Sequence, residues 1–458
     1  MIRFLILIAT LFSLSSPAVA ELFKAESFAL DNGLQCVVVE NHKAPIVKQM
    51  LWYKVGSVDE DFSTRGSAHL LEHLMFRGTS RLPDGEFNRV MEKNGASSNA
   101  FTSYDLTAYH QMADISRLEI LLALEADRMQ NLSFNEEAFL AEQKIVLQER
   151  KQVIENKPDS AFTERFNKIL WGNLPYGHPV TGLSEEIMSL TYDNILNFYK
   201  QYYAPNNAIL VLSGDIDVKE VRKLVEKYFG HLKKHKIIRR KPAENADMFS
   251  ETLTMTLPDI QTPKMVQKFL LMPKDRLQNE IYDYLVLAEY LGGGETSFLY
   301  KELVVRQHAA VSASVNYHFV TGSNTTFHIS MLPTGHSKKN IEETWSKLDK
   351  AMVQAVENLT DTKLEQVKRK MLSGLVYVND NPEDAAYWIG YMLANGFNLG
   401  DIQNYEQRIN EVTVKGVKKA FEMLQTAPTV KGVLLPENMP ESLPQDSTSE
   451  ILSEAADD

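Results

Sequence analysis

Two periods of apolar and polar residues alternate along the chain, and the switches between them mark out elements. Phe28–Val39 alternates as strands do around the turn Asp31-Asn32-Gly33, and Met50–Val55 reads as a further strand. Ala68–Phe76 takes a helical period and stops before Gly78. Glu86–Lys93 does the same, followed by Asn94-Gly95 and a strand around Ala100–His110. Residues Asn135–Asn156 form a long charged helix. Asn135 is placed to cap it, Glu136 and Glu137 suit the positive end of its dipole, and Lys157-Pro158 ends it. The segment Asn197–Tyr203, a strand over Ala208–Leu212 and a helix over Val218–Phe229 close this half.

A second run has a similar order. Thr252–Leu257 and Lys268–Met272 are strand-like. Tyr282–Leu291 is helical and meets Gly292-Gly293-Gly294; Phe298–Arg306 is helical, and a strand starts at Val311. A helix over Val414–Leu424 and a strand over Val430–Leu435 end it. The two runs read as a divergent tandem duplication of an α+β unit. Between them, Lys233–Pro242 reads KKHKIIRRKP, a basic linker. The expected organisation is therefore a domain over 21–232, a linker over 233–245 and a homologous domain over 246–435.

The ends differ from the body. Residues 1–20 combine Arg3, an apolar run over Phe4–Phe12 and the small-x-small triplet Ala18-Val19-Ala20. That is the form of a signal peptide, and it implies export to the periplasm or the medium of a Gram-negative-type bacterium. The run is too short to span a bilayer as a mature helix, and no other stretch reaches that length, so no transmembrane span is expected after cleavage. Residues 436–458 carry seven acids, no Lys or Arg and three prolines, which reads as a disordered acidic tail.

Charge and cysteine content then narrow the chemistry. The net charge of −12 argues against non-specific nucleic-acid binding. Removing residues 1–20 takes away one base and gives −13; the tail holds −7 of that, leaving −6 on residues 21–435. The acidity belongs mostly to the tail. One cysteine, Cys36, excludes an intramolecular disulfide and any cysteine-based metal cluster, so a metal site must use His and carboxylate.

His69-Leu70-Leu71-Glu72-His73 offers such a site. On a helix, His69 and His73 are one turn apart on one face and both can reach one Zn²⁺. Glu72 borders that face and can hydrogen-bond a water without being a ligand, which suits metal-assisted hydrolysis. A catalytic zinc needs a third protein ligand. The candidates are Glu142 and Glu149, seven residues apart and so on one face of the long charged helix.

His69–His73 is also the inverted zincin motif H-x-x-E-H, and the chain resembles the pitrilysin/insulinase family of zinc metallopeptidases, which includes the mitochondrial processing peptidase. The resemblance extends through Leu30–Leu34, Gly56–Glu60, Asn99–Thr102, Asp105–Thr107, Tyr203–Asn207, Gly214-Asp215, Leu291–Gly294 and Leu299-Tyr300. It implies two tandem domains, each a mostly antiparallel sheet packed with helices, together forming half of a clam-shell peptidase chamber. It implies one Zn²⁺ per chain held by His69, His73 and Glu149, with Glu72 as general base and Glu142 orienting a histidine. Asn99, Ala100 and Phe101 resemble the family's substrate-binding strand, which adds a peptide as an extra strand. His110 and His178 lie off the motif and read as structural.

One departure stands out. Many active members carry an Arg and, seven residues on, a Tyr in the second domain, which bind the substrate carbonyl. Here Arg306 stands at the Arg position and Ala313 at the other, while Tyr317 lies about 13 Å further along a strand. The resemblance thus implies the zinc-bearing subunit of a heterodimer with a paralogue lacking the motif, or a homodimer, acting on oligopeptides or unfolded segments. The competing reading is a binding or assembly subunit with little activity of its own.

Overall fold

The computed structural model describes residues 23–238, 250–273, 277, 280–319, 324–335 and 337–437. The expected signal peptide and the part of the acidic tail beyond Glu437 lie outside the described residues, as does most of the basic linker.

In the first half, β1 (Ala25–Ala29) and β2 (Gln35–Glu40) form a hairpin. Gly33 turns it at φ 89°, and a Cβ there would lie 2.8 Å from the Asn206 Cβ, so the position requires glycine. β3 (Ile46–Tyr53), β4 (Ser97–Thr102), β5 (Thr107–Asp114) and β6 (Ala208–Gly214) complete a six-stranded sheet in the order β1-β2-β6-β3-β5-β4. The single strand expected around Ala100–His110 is two antiparallel strands. Ser103–Leu106 makes a tight turn between them, closed by Ser103 N–H donating to Leu106 O at 2.8 Å. Helices α1 (Ser67–Leu74), α2 (Glu86–Lys93), α3 (Leu118–Asn131) and α4 (Glu136–Arg150) follow in chain order. Then come α5 (Pro158–Trp171), α6 (Ser184–Ser189), α7 (Tyr192–Tyr202) and α8 (Val218–Phe229).

The second half repeats the plan. β7 (Glu251–Leu257), β8 (Lys264–Pro273), β9 (Ala310–His318), β10 (Asn324–Pro333) and β11 (Thr429–Pro436) form a sheet in the order β7-β11-β8-β10-β9. Its parallel pair, β7 with β11, matches the parallel pair β2 with β6, and every other neighbour is antiparallel in both sheets. The edge strands β4 and β9 therefore correspond. The helices are α9 (Glu280–Gly292), α10 (Lys338–Glu357), α11 (Asp361–Asp380), α12 (Pro382–Ala394), α13 (Leu399–Gln403), α14 (Tyr405–Glu411) and α15 (Val414–Thr426). The sequence pattern did not mark α3, α5, α10, α11 or α12, although together they cover much of both sheets.

The halves exchange a helix. One face of the first sheet packs on α1, α3, α7 and α8 through Val38, Leu51, Leu70, Leu121, Ile195 and Val225. Its other face receives α12 of the second half on Met50, Trp52 and Val211. Reciprocally, α5 of the first half lays Phe162, Phe166 and Leu170 on Val266, Leu270 and Val430 of the second sheet. Glycines permit both close approaches. A Cβ at Gly390 in α12 would lie 2.0 Å from Trp52 Nε1, and one at Gly432 in β11 would lie 2.6 Å from the Phe166 ring. An ion pair guards each exchange: Glu383 of α12 with the buried Lys48 of β3, and Asp159 of α5 with Lys264 of β8 at 3.1 Å.

Candidate metal centre

The short helix α1 is anchored at both ends and along one side. Gly66 starts it at φ 90°, and the buried Glu60 carboxylate accepts from Gly66 N–H at 3.0 Å and Ala68 N–H at 2.8 Å. That satisfies donors a helix start leaves open and places negative charge at the positive end of the dipole. Leu70, Leu71 and Leu74 bury in the first core, so His69, Glu72 and His73 turn toward α4 and β4. α4 is capped by Asn135, whose side chain accepts from Ala138 N–H at 2.8 Å, and held by Phe139 and Val146. Its Glu142 and Glu149 then face α1.

The ligand atoms of His69, His73 and Glu149 all lie within 4.8 Å of one another. Glu149 Oε2 is 3.3 Å from His73 Nε2 and 3.9 Å from His69 Nε2. The two rings meet edge to face with centroids 4.9 Å apart. Glu142 Oε2 sits 3.1 Å from His73 Nδ1, and its other oxygen accepts from Arg77 Nε at 2.6 Å. Glu72 is held from the edge strand: Thr102 Oγ1 donates to Glu72 Oε2 at 2.6 Å.

The electrostatics divide the groups. Burial, then the His73 charge, lowers the His69 pKa to about 4, so its imidazole is neutral at pH 7. Burial also opposes charge on His73, but hydrogen bonds to Glu142 and Glu149 outweigh it and push its pKa up to about 9. The His73 hydrogen bond keeps Glu149 below the usual carboxylate range. Burial would raise Glu142, yet His73 and Arg77 hold it down. Glu72 moves the other way: burial raises it against the Thr102 hydrogen bond.

The donor set fits zinc. Two imidazole nitrogens and one carboxylate converge, no thiol is near, and Glu142 on His73 Nδ1 leaves Nε2 free to ligate. His69, His73 and Glu149 come together as one cluster, with Glu142 behind His73 and Glu72 beside them. Asn99, Ala100 and Phe101 lie on β4, which is the edge of its sheet. Arg306 lies in the other half, at the end of a π-helical turn over Tyr300–Arg306, exposed and paired with Glu302. Tyr317 does not extend toward an open site. It is buried and stacked on Tyr284 with centroids 5.3 Å apart, and the buried Ala313 side chain faces the same core. A phenol on that face of β9 therefore points inward. His110 contacts Lys48 Nζ at 2.9 Å beside Glu383, and His178 lines a separate cavity against α5. Sequence reasoning missed Arg77, Thr102 and Glu60. Arg77 had a signal, being one turn beyond His73 on the same face; Thr102 and Glu60 fell within stretches of the family resemblance, but nothing in the sequence marked the contacts they make.

Comparison with known proteins agrees. The family model described as insulinase (peptidase family M16) matches residues 36–183, and the one described as the peptidase M16 inactive domain matches 189–371. The zinc protease PqqE of Helicobacter pylori is 28% identical over 404 residues, covering 85% of this chain and 88% of that protein. A crystal structure of a protease from Helicobacter pylori aligns with TM-score 0.80 at 26% identity, covering 90% of this chain and all of the other. The periplasmic protease PqqL from Escherichia coli shares the fold with TM-score 0.77 at 17% identity, covering 95% of this chain but 50% of the longer one.

Proposed function

The chain belongs to the insulinase family of zinc peptidases, peptidase family M16, and from that premise we propose that it is the zinc-bearing subunit of an exported, two-chain endopeptidase. The observation that carries the reading is the convergence of His69, His73 and Glu149 beside a buried Glu72. Its substrates are oligopeptides or unfolded segments, bound as an added strand along β4 at Asn99, Ala100 and Phe101, because an open sheet edge offers unpaired backbone groups. Arg306, exposed in the second half, binds substrate in the completed chamber. Two chains are proposed because this one aligns with half of a longer member of the fold. Export rests on residues 1–20, and a relative of this fold is described as periplasmic.

One zinc per chain would be held by His69, His73 and Glu149, and when bound it supplies Lewis-acid polarisation and acidifies water. The chain's own groups do the rest. Glu142, fixed by Arg77, holds the His73 ring so that Nε2 faces the site. Burial raises the proton affinity of Glu72, so it takes a proton from the attacking water and passes it to the leaving amine. Thr102 keeps that carboxylate facing the edge strand on which the substrate lies.

The test is cleavage of a quenched peptide library by the mature chain, alone and mixed with a paralogue lacking the motif, with and without chelator. Chelator-sensitive cleavage that rises on mixing is expected. Full activity of the lone monomeric chain overturns the two-chain reading, and chelator-resistant cleavage overturns the zinc reading.

A further inference from the structure

The duplicated fold gives the metal centre a counterpart in the second half. α1 packs on the edge strand β4, on α4 and on α7; α9 packs on the edge strand β9, on α11 and on α15. The sequences align accordingly. Glu72-His73-Leu74 precedes Thr79-Ser80 at the same spacing as Glu289-Tyr290-Leu291 precedes Thr296-Ser297. Tyr290 thus stands in the place of His73 and Val286 in that of His69, so the metal ligands are gone. Between α9 and α11 there is instead a cavity of about 450 Å³.

Its charged lining is four cations, Lys301, Arg306, Lys363 and Lys370, against two carboxylates, Glu289 and Glu302. Lys370 neutralises Glu289 at 2.8 Å, and Arg306 neutralises Glu302. Lys301 and Lys363 have no carboxylate partner among the described residues. Tyr290, Phe298 and Val367 add apolar wall. We propose that this cavity is a docking site for an acidic peptide segment with aliphatic residues between its acids, and that its occupant is the chain's own segment 438–458. That segment contains Glu450-Ile451-Leu452-Ser453-Glu454, six acids in all and no base.

The path of the chain supports this occupant. Val433, Met265, Met331 and Ala313 form one row across β11, β8, β10 and β9. β9 runs opposite to β11, so Pro436 leaves the sheet at the end where Ala310 enters it, just after the Arg306 turn that lines the cavity. Three strand spacings separate those points, about 15 Å. The stretch from Pro436 to Glu450 spans up to about 45 Å when extended, three times the need. Tethering at that distance keeps the acidic segment at a high effective concentration beside the cavity.

The experiment is carbodiimide cross-linking of the full mature chain, read by peptide mass spectrometry, with the surface pair Lys227–Glu119 (2.7 Å) as internal standard. Links from Glu450 or Glu454 to Lys301, Lys363 or Lys370 are expected at or above the yield of the standard. They should fall at least tenfold in 0.5 M salt. In the Lys301→Gln/Lys363→Gln variant, the remaining links to Lys370 should fall at least tenfold while the standard is unchanged, which also reports that the fold is intact. Links spread evenly over surface lysines overturn the proposal, as does a Lys370 yield unmoved by the variant. A mixture of heavy- and light-isotope chains whose links are intermolecular assigns the cavity to a second copy and overturns docking within one chain.

Discussion

At the scale of single residues, the candidate metal centre is a set of groups whose donor atoms converge, all within 4.8 Å of one another. At pH 7 His69 is neutral, Glu149 and Glu142 are ionised, and His73 alone carries a proton that a metal must displace. Zinc binding to the metal-free chain at pH 7 should therefore release about one proton. Calorimetry in two buffers of different ionisation enthalpy measures this. The released proton should vanish as pH rises past about 9, where His73 is already neutral, and affinity should fall as pH drops below that. Release of no proton at pH 7 contradicts this arrangement. Glu142 gains its orientation from Arg77, so Arg77→Met should weaken zinc binding by about 10- to 100-fold without touching a ligand, as competition with a chromophoric chelator would read. Thr102→Val removes the donor on Glu72 and should lower kcat with zinc content unchanged; loss of zinc instead would mean that Thr102 supports the helix rather than the base. His69, Glu72 and His73 were legible because their meaning lies in local spacing on one turn; spacing left Glu142 and Glu149 as candidates, and the family resemblance separated their roles. Thr102 and Glu60 were not legible, because each acts through a contact that only the tertiary fold creates.

At the scale of elements, the two halves are bound by exchanging α5 and α12, each seated where a glycine lets backbone or ring approach closely. Gly390→Val should place methyl groups against the Trp52 indole and destabilise the protein by about 1–3 kcal/mol, the cost of overpacking a filled core. Gly432→Val should act likewise under Phe166. Urea unfolding checks both, and a variant as stable as the parent would show that the helix shifts freely on the sheet. Several elements that the pattern revealed end in a turn signal, Asp31-Asn32-Gly33, Gly78, Asn94-Gly95 and Lys157-Pro158 among them. The β4–β5 hairpin was merged because Ser103–Leu106 contains neither glycine nor proline, so alternation runs through the turn unbroken. The identity of α12 as a cover for the first sheet was illegible because its partners, Met50 and Trp52, lie more than 300 residues away.

At the scale of the whole molecule, two sheets of matching strand order make a duplicated α+β protein; among the described residues, the cluster fit to hold a metal lies in the first half. The duplication was visible in the order of elements; that it extends to strand order and to the parallel pair required the registers. Among the described residues no helix is long and apolar enough to cross a membrane. If the two-chain proposal holds, sedimentation of the mature protein mixed with a paralogous chain lacking the motif should give a two-chain species, whereas a monomer at all concentrations would contradict it. The central claim is that a zinc ion at His69, His73 and Glu149, served by Glu72, hydrolyses peptides. It is tested most directly by the cleavage rate of a quenched peptide library, in the purified assembly, as a function of bound zinc. The rate should rise in proportion to zinc, level off near one per chain and be about 100-fold or more lower in Glu72→Gln at equal loading. Equal rates in the metal-free protein, or in Glu72→Gln, would contradict it.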